Sequence, residues 1–173
     1  MYRNILILCF ILSSKLSLAQ ISLDDLLKIQ KSDVGTITSL LIDKNWQLIE
    51  SKQETDDDYG KMNWAKGVDQ FESDKATAWL NIDYSETVHN RVTLQAFSKL
   101  LYQNIKAKII SYGMKKISYG LMDGYSFNDY AGVNYAIRIG VGSNSGSNVS
   151  RYIFIIWNKA DYKNIMEDKY ESN

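Results

Sequence analysis

Most of this chain alternates apolar and polar residues with a period of two, and this pattern constrains the fold more than any other feature. The alternating segments are residues 61–65, 75–84, 91–97, 115–121 and 132–141. Alternation of this kind predicts strands that bury one face and expose the other, and therefore an antiparallel sheet. Residues 151–157 are apolar on both faces, which indicates a central strand that is covered on both sides.

Helical periodicity precedes each group of strands. Residues 23–30 place side chains at positions i, i+3, i+4 and i+7, which predicts a short helix with Gln30 among its inward-facing residues. Ser22 is predicted to cap this helix. Ser32 and Asp33 are predicted to cap a second helix that ends at Asn45, because their side-chain oxygens can accept hydrogen bonds from free backbone N–H groups. Residues 98–112 predict a third helix with apolar residues spaced by four.

The order of helix followed by strands occurs twice, in residues 21–97 and 98–158. We therefore predict one α+β domain over residues 20–160, with an antiparallel sheet and helices on one face. The two parts resemble tandem helix-plus-three-strand halves, and their low identity leaves open whether they are a true duplication. Residues 161–173 are predicted to form a polar C-terminal tail or a short helix.

The only cysteine, Cys9, lies within the first nineteen residues. A chain that begins at Gln20 has no disulfide, no thiol nucleophile and no cysteine metal site, so packing alone must stabilise it. The order of elements is loosely similar to the tandem helix-plus-sheet arrangement of β-lactamase inhibitory protein. That family uses cysteines in its repeats, which this chain lacks, so the resemblance implies an architecture and no residue role or activity.

The first nineteen residues have the layout of a secretory signal peptide. Arg3 precedes an unbroken apolar run over residues 5–12, and Ser17 and Ala19 are small residues at positions −3 and −1 before Gln20. A helix needs about 20 apolar residues to cross a bilayer core of about 30 Å, so this run is too short to be an anchor. The sequence predicts a bacterial protein that is exported to the periplasm or secreted, with cleavage after Ala19.

Charge argues against two classes of partner. Removing Arg3 and Lys15 from the 20 basic residues leaves 18, against 20 acidic residues. Nucleic acids and anionic membranes select clustered basic charge, and a nearly neutral chain does not supply it. We therefore predict no nucleic-acid partner and no transmembrane segment.

The motifs of the chain predict neither a metal nor a cofactor. His89 is the only histidine, whereas a zinc site needs three or four close ligands. The acidic residues 56–58 are contiguous and lack the final bidentate acid of a calcium loop, which favours a solvated turn and leaves weak calcium binding open. Gly140 and Gly142 precede another strand, whereas a phosphate site requires a helix N-terminus.

Trp79 is the strongest candidate for a binding residue. Alternation places Trp79, Arg91, Gln95 and Arg138 on the polar faces of their strands. A tryptophan with arginine and amide neighbours is typical of protein interfaces. The alternative is that a loop, such as residues 126–131, covers this face and that Trp79 is ordinary packing.

These features favour an exported, non-catalytic binding protein that engages a protein or cell-envelope partner through an open sheet face. Inhibitor-like, immunity-like and envelope interaction roles are forms of this prediction. One alternative is an accessory factor for envelope assembly. Another is a small glycan hydrolase that uses two carboxylates, for which Asp83 with Glu86 or Asp123 with Asp129 are the candidates.

Overall fold

The structure is a computed structural model that describes residues 20–56, 58–68, 75–143 and 149–171, with side chains described as far as Met166. Within these residues there are four helices: α1 (Leu23–Ile29), α2 (Val34–Asp43), α3 (Lys99–Ser111) and α4 (Lys159–Glu171). The first four strands are β1 (Gln47–Lys52), β2 (Gly60–Lys66), β3 (Ala78–Tyr84) and β4 (Arg91–Ala96). The other four are β5 (Lys115–Met122), β6 (Tyr125–Ala131), β7 (Tyr135–Ser143) and β8 (Ser150–Asn158). The predicted signal peptide and its cleavage site after Ala19 lie outside the described residues.

All eight strands belong to one antiparallel sheet with the order β1-β2-β3-β4-β8-β7-β6-β5. The prediction of an α+β fold with an antiparallel sheet is confirmed. Each half of the sheet contains four strands where three were predicted. The sequence pattern missed β1, which is exposed along its whole length and so does not alternate, and β6, which was predicted to be a loop.

Local signals fix the ends of the helices. Ser22 forms a capping box with Asp25 at the start of α1, and Asp33 accepts a hydrogen bond from the backbone N–H of Thr36 at the start of α2. Asn45 follows α2 with a left-handed φ of 58°, as its sequence position predicted. No helix among the described residues is long and apolar enough to span a membrane.

Helices α1, α2 and α3 bury their apolar sides against one face of the sheet, which we call the first face. Leu26, Leu41 and Ile105 are fully or almost fully buried there, beside Leu80 and other strand residues. Leu80 is buried, as the predicted register requires, and Trp46, which lies between α2 and β1, is buried as well. A one-residue slip would have exposed Leu80, so its burial fixes which side chains lie on the opposite, second face.

Helix α4 packs against the second face, so the prediction that all helices lie on one face is wrong. Tyr162, Ile165 and Met166 of α4 contact a separate apolar cluster that contains Ala136 and Trp157. These two strand residues alternate with Ile137 and Ile156, which face the first core. Strand β8 is therefore covered on both sides, and this double cover explains why its sequence is apolar on both faces.

The burial predicted for β5 does not occur. Tyr119 and Leu121 are 77 % and 84 % exposed, although they lie in register with first-face residues of the neighbouring strands. The reason is the position of α3, whose Tyr102 stacks on Tyr152 of the central strand β8. Helix α3 therefore covers the middle of the sheet and leaves the edge strand β5 exposed.

Candidate functional site

Five side chains on the second face form a surface that we call the open face. It consists of Trp79, Asn81, Thr93, Gln95 and Ile153. Trp79 lies directly opposite Gln95, which in turn lies opposite Ile153, and all three are partly exposed. Asn81 is exposed. The structure thus brings the predicted residues Trp79 and Gln95 together.

The loop that was proposed as a cover for Trp79 does not exist. Residues 126–131 belong to β6, which is separated from β3 by the three strands β4, β8 and β7. Trp79 therefore does not pack beneath residues 126–131.

Arg91 lies at the other end of β4, four residues from Gln95 and about 14 Å along the strand. Its Nε and Nη2 atoms donate hydrogen bonds of 2.8 Å to the two carboxylate oxygens of Asp161 on α4. Its guanidinium also lies 4.6 Å from the ring centroid of Tyr59. The hydrogen bonds to Asp161 raise the pKa of Arg91 above its ordinary value. The ion pair of Arg91 with Asp161 therefore connects β4 to the first turn of α4.

Arg138 is buried beneath α4. Its Nε and Nη2 atoms donate hydrogen bonds of 2.7 and 2.8 Å to the two oxygens of Asp129, and the two side chains are only 5 % and 0 % exposed. Its guanidinium lies 3.9 Å from the ring centroid of Phe127. Tyr162 of α4 donates a 2.8 Å hydrogen bond to the same carboxylate. We call Arg138, Asp129 and Tyr162 the buried triad.

The buried triad has a structural role. Burial, followed by the hydrogen bond to Asp129, raises the pKa of Tyr162 to about 12. The tyrosine therefore stays neutral over the ordinary pH range and serves as a hydrogen-bond donor. The Asp129 carboxylate accepts two hydrogen bonds from Arg138 and one from Tyr162, and these bonds tie α4 to β6 and β7.

The positions of the carboxylates do not support the two pairs proposed for a glycan hydrolase, Asp83 with Glu86 and Asp123 with Asp129. Asp129 is fully buried in the triad, and Asp123 lies in the β5–β6 turn, at least about 14 Å away along the strand. Glycosidase carboxylates lie about 5–10 Å apart in a cleft. Asp83 lies opposite Arg91 across β3 and β4.

No group of three potential metal ligands occurs within the described part of the chain. Of the acidic run at residues 56–58, position 57 lies outside the described residues. Asp58 forms a 3.1 Å ion pair with Lys52.

A second surface, not predicted from the sequence, lies at the end of the sheet where β3–β4 and β6–β7 turn. Two adjoining cavities of about 1110 and 870 Å³ share five lining residues: Gln30, Lys31, His89, Asn158 and Ala160. Four lysines line the larger cavity, with no Asp or Glu among its described lining residues, and we call it the basic cavity. Asp33, Glu86 and Asp161 line the smaller one, which we call the acidic cavity.

Gln30 is the unusual residue at this end of the sheet. Its side chain is 0 % exposed, and neither Oε1 nor Nε2 has a hydrogen-bond partner among the described residues. Asn90 holds the surrounding turn in place, because its Nδ2 donates to the carbonyls of Ile29 and Ser32 at 2.9 and 2.8 Å. The signal that could have found this site was a glutamine at an inward-facing helical position.

Comparisons of the chain with protein-family models, with curated proteins and with solved structures gave no match.

Proposed function

We propose that the protein is an exported, non-catalytic binding protein that engages a protein or cell-envelope partner through the open face. The observation that carries this proposal is the position of Trp79 beside Gln95, partly exposed, on a part of the sheet that lies outside the α4 cluster. Large aromatic side chains at the centre of a flat surface supply much of the binding energy in protein interfaces. Inhibitor-like, immunity-like and envelope interaction roles remain forms of the same proposal.

The chemistry of the open face suits a macromolecular partner. Trp79 and Ile153 offer apolar area, while the amides of Asn81 and Gln95 offer hydrogen bonds near its centre. None of the five residues is charged, and interface cores are depleted in charge. Two arginines of the second face, Arg91 and Arg138, are engaged by carboxylates.

Export is the second part of the proposal. It rests on the basic start, the short apolar run and the small residues before Gln20. Ile21 is the first buried residue of the described chain, so cleavage after Ala19 would remove none of the core residues that the structure describes. Intact-mass measurement of protein from the periplasm and the culture medium tests this step, and a mass that retains residues 1–19 would contradict it.

The partner can be sought by photo-crosslinking in cells that export the protein. A photo-reactive amino acid replaces Asn81 on the open face, and in the control it replaces Gln103, which is exposed on α3. We expect a discrete crosslinked product from position 81 and none from position 103. The same products from both positions, or none from position 81, would contradict the proposal.

Affinity for the crosslinked partner then tests the role of Trp79. Trp79→Ala is expected to leave the circular dichroism spectrum unchanged and to weaken binding about 30-fold, the effect of a hot-spot loss of about 2 kcal/mol. Gln103→Ala is the matched control and should bind as the native protein does. Equal affinity of the two variants would remove Trp79 from the interface.

We also propose that the two halves of the sheet derive from a duplication. The strand order supports this, because β1–β4 and β5–β8 each follow a helix, form a four-stranded meander and meet at β4 and β8. Superposition of the two halves tests it: equivalent strands should align with their buried residues in the same register, and a shifted register would refute it.

A further inference from the structure

We propose that the basic cavity binds a terminal carboxylate together with its neighbouring secondary amide, the unit shared by N-acylated amino acids and peptide C-termini. None of its lining residues belongs to the open face, so this site is independent of the partner surface proposed above. Three features of the cavity lead to this ligand: its charge, its apolar walls and the amide of Gln30.

The charge of the cavity selects an anion. Lys31, Lys115, Lys159 and Lys163 line it, and no acidic residue does among those described. Two of the ammonium groups are held at the wall, since Lys31 Nζ lies 4.9 Å from the ring centroid of Tyr135 and Lys159 Nζ donates to the carbonyl of Gly132 at 3.0 Å. A cavity lined by one sign of charge concentrates ligands of the opposite sign.

The apolar walls of the basic cavity favour a ligand that carries an apolar group next to its anionic group. Ile117, Val133, Tyr135 and Met166 contribute apolar surface, and Val133 is 87 % exposed although it is a large apolar residue. Exposed apolar surface of this kind is a common property of ligand sites. An inorganic anion would leave these walls without a contact.

Gln30 selects the amide. A buried carboxamide presents one acceptor, Oε1, and two N–H donors on Nε2, and neither atom has a partner among the described residues. A secondary amide is complementary once the buried Gln30 side chain turns towards the cavity that it lines, because the N–H of the ligand can then donate to Oε1 while its carbonyl accepts from Nε2. In an N-acylated amino acid this amide is adjacent to the carboxylate, and Gln30 and Lys31 both line the cavity.

The test uses the chain from Gln20 to Asn173, labelled with ¹⁵N, because the side-chain NH₂ of Gln30 gives its own signal in a two-dimensional NMR spectrum. N-acetyl-L-phenylalanine carries the carboxylate, the amide and the apolar group. N-acetyl-L-phenylalanine amide lacks the carboxylate, and 3-phenylpropanoate lacks the amide. We expect N-acetyl-L-phenylalanine to shift the signals of Gln30, Lys31 and Tyr135, and to bind about tenfold or more tightly than either analogue.

The source of the ligand is tested by a hexapeptide that ends in a free phenylalanine carboxylate. Binding of this peptide with the same shifted signals identifies a peptide C-terminus as an occupant. Binding of N-acetyl-L-phenylalanine alone identifies a free N-acylated amino acid. Both outcomes support the site, whereas equal binding of the carboxylate ligand and its amide analogue would overturn it.

Two variants separate the contributions of amide and charge. Gln30→Leu should weaken N-acetyl-L-phenylalanine about tenfold while changing 3-phenylpropanoate by less than about twofold, because only the first ligand uses the carboxamide. Lys115→Glu should weaken both carboxylates, and its matched control is Lys99→Glu, a lysine on α3 that lines neither cavity. Unchanged binding in Gln30→Leu and Lys115→Glu, or no shift at Gln30 at millimolar ligand, refutes the proposal.

Discussion

Replacing Arg138 by methionine tests whether the buried triad stabilises the fold. Methionine retains most of the apolar length of arginine but cannot donate to Asp129. The substitution removes the two hydrogen bonds of 2.7 and 2.8 Å and the contact with Phe127 at 3.9 Å. It leaves the Asp129 carboxylate, which is 0 % exposed, with Tyr162 as its remaining strong donor.

Leaving one member of a buried ion pair without its partner costs about 3–5 kcal/mol. We therefore expect Arg138→Met to lower the free energy of unfolding by that amount. The matched control is Arg91→Met, which removes the same pair of hydrogen bonds from Asp161. The side chains of Arg91 and Asp161 are 32 % and 24 % exposed, so solvent screens that pair, and a loss of about 1 kcal/mol is expected.

Urea unfolding followed by circular dichroism and tryptophan fluorescence measures both losses. A second substitution sharpens the test. Asp129→Asn in the Arg138→Met background removes the uncompensated charge and still offers Tyr162 an acceptor, so it should restore about 1 kcal/mol or more. Equal losses in Arg138→Met and Arg91→Met, or no recovery in the double variant, would refute this account of the triad.

Three further predictions concern stability. Gln30→Leu should raise the free energy of unfolding of the unliganded protein by about 1–3 kcal/mol in urea titrations, because it removes a buried side-chain amide that lacks partners among the described residues. A lower free energy of unfolding in this variant would contradict the prediction. The free energy of unfolding should fall as the pH rises from about 10 towards 12, because Tyr162 loses its proton at lower pH in the unfolded state than in the folded state. In thermal melts over this range, the melting temperature of Tyr162→Phe should fall less steeply with pH than that of the native protein. Leu80→Ala and Trp46→Ala should each cost about 3 kcal/mol or more by urea unfolding, and a neutral Leu80→Ala would be inconsistent with its complete burial.

The sequence predicted the parts of the fold that periodicity controls. Alternation placed Leu80 in the core and Trp79 on the opposite face, and the caps at Ser22 and Asp33 marked the starts of α1 and α2. These features succeed because a buried strand face or a helix start leaves a local pattern in the residues themselves.

The features that the sequence did not predict depend on contacts between distant residues. Strand β6 contains Asn128 and Asp129, which are poor strand formers, and Asp129 is accommodated only because Arg138 and Tyr162 pair with it. Arg91 and Arg138 were predicted to lie at an interface. The alternation of a strand shows on which face of the sheet a side chain lies, but it does not show which other element covers that face. Helix α4 covers it here.

The position of α4 determines both candidate surfaces. Its residues Ala160, Tyr162, Lys163 and Met166 line the basic cavity, and its described apolar side chains pack in the cluster that contains Ile155 and Trp157, which does not include Trp79 or Gln95. The two pairs that hold it, Arg91 with Asp161 and the buried triad, lie at its first turn. A change that loosens this first turn should therefore alter the basic cavity and extend the exposed part of the second face together, whereas a change within the open face should affect that face alone.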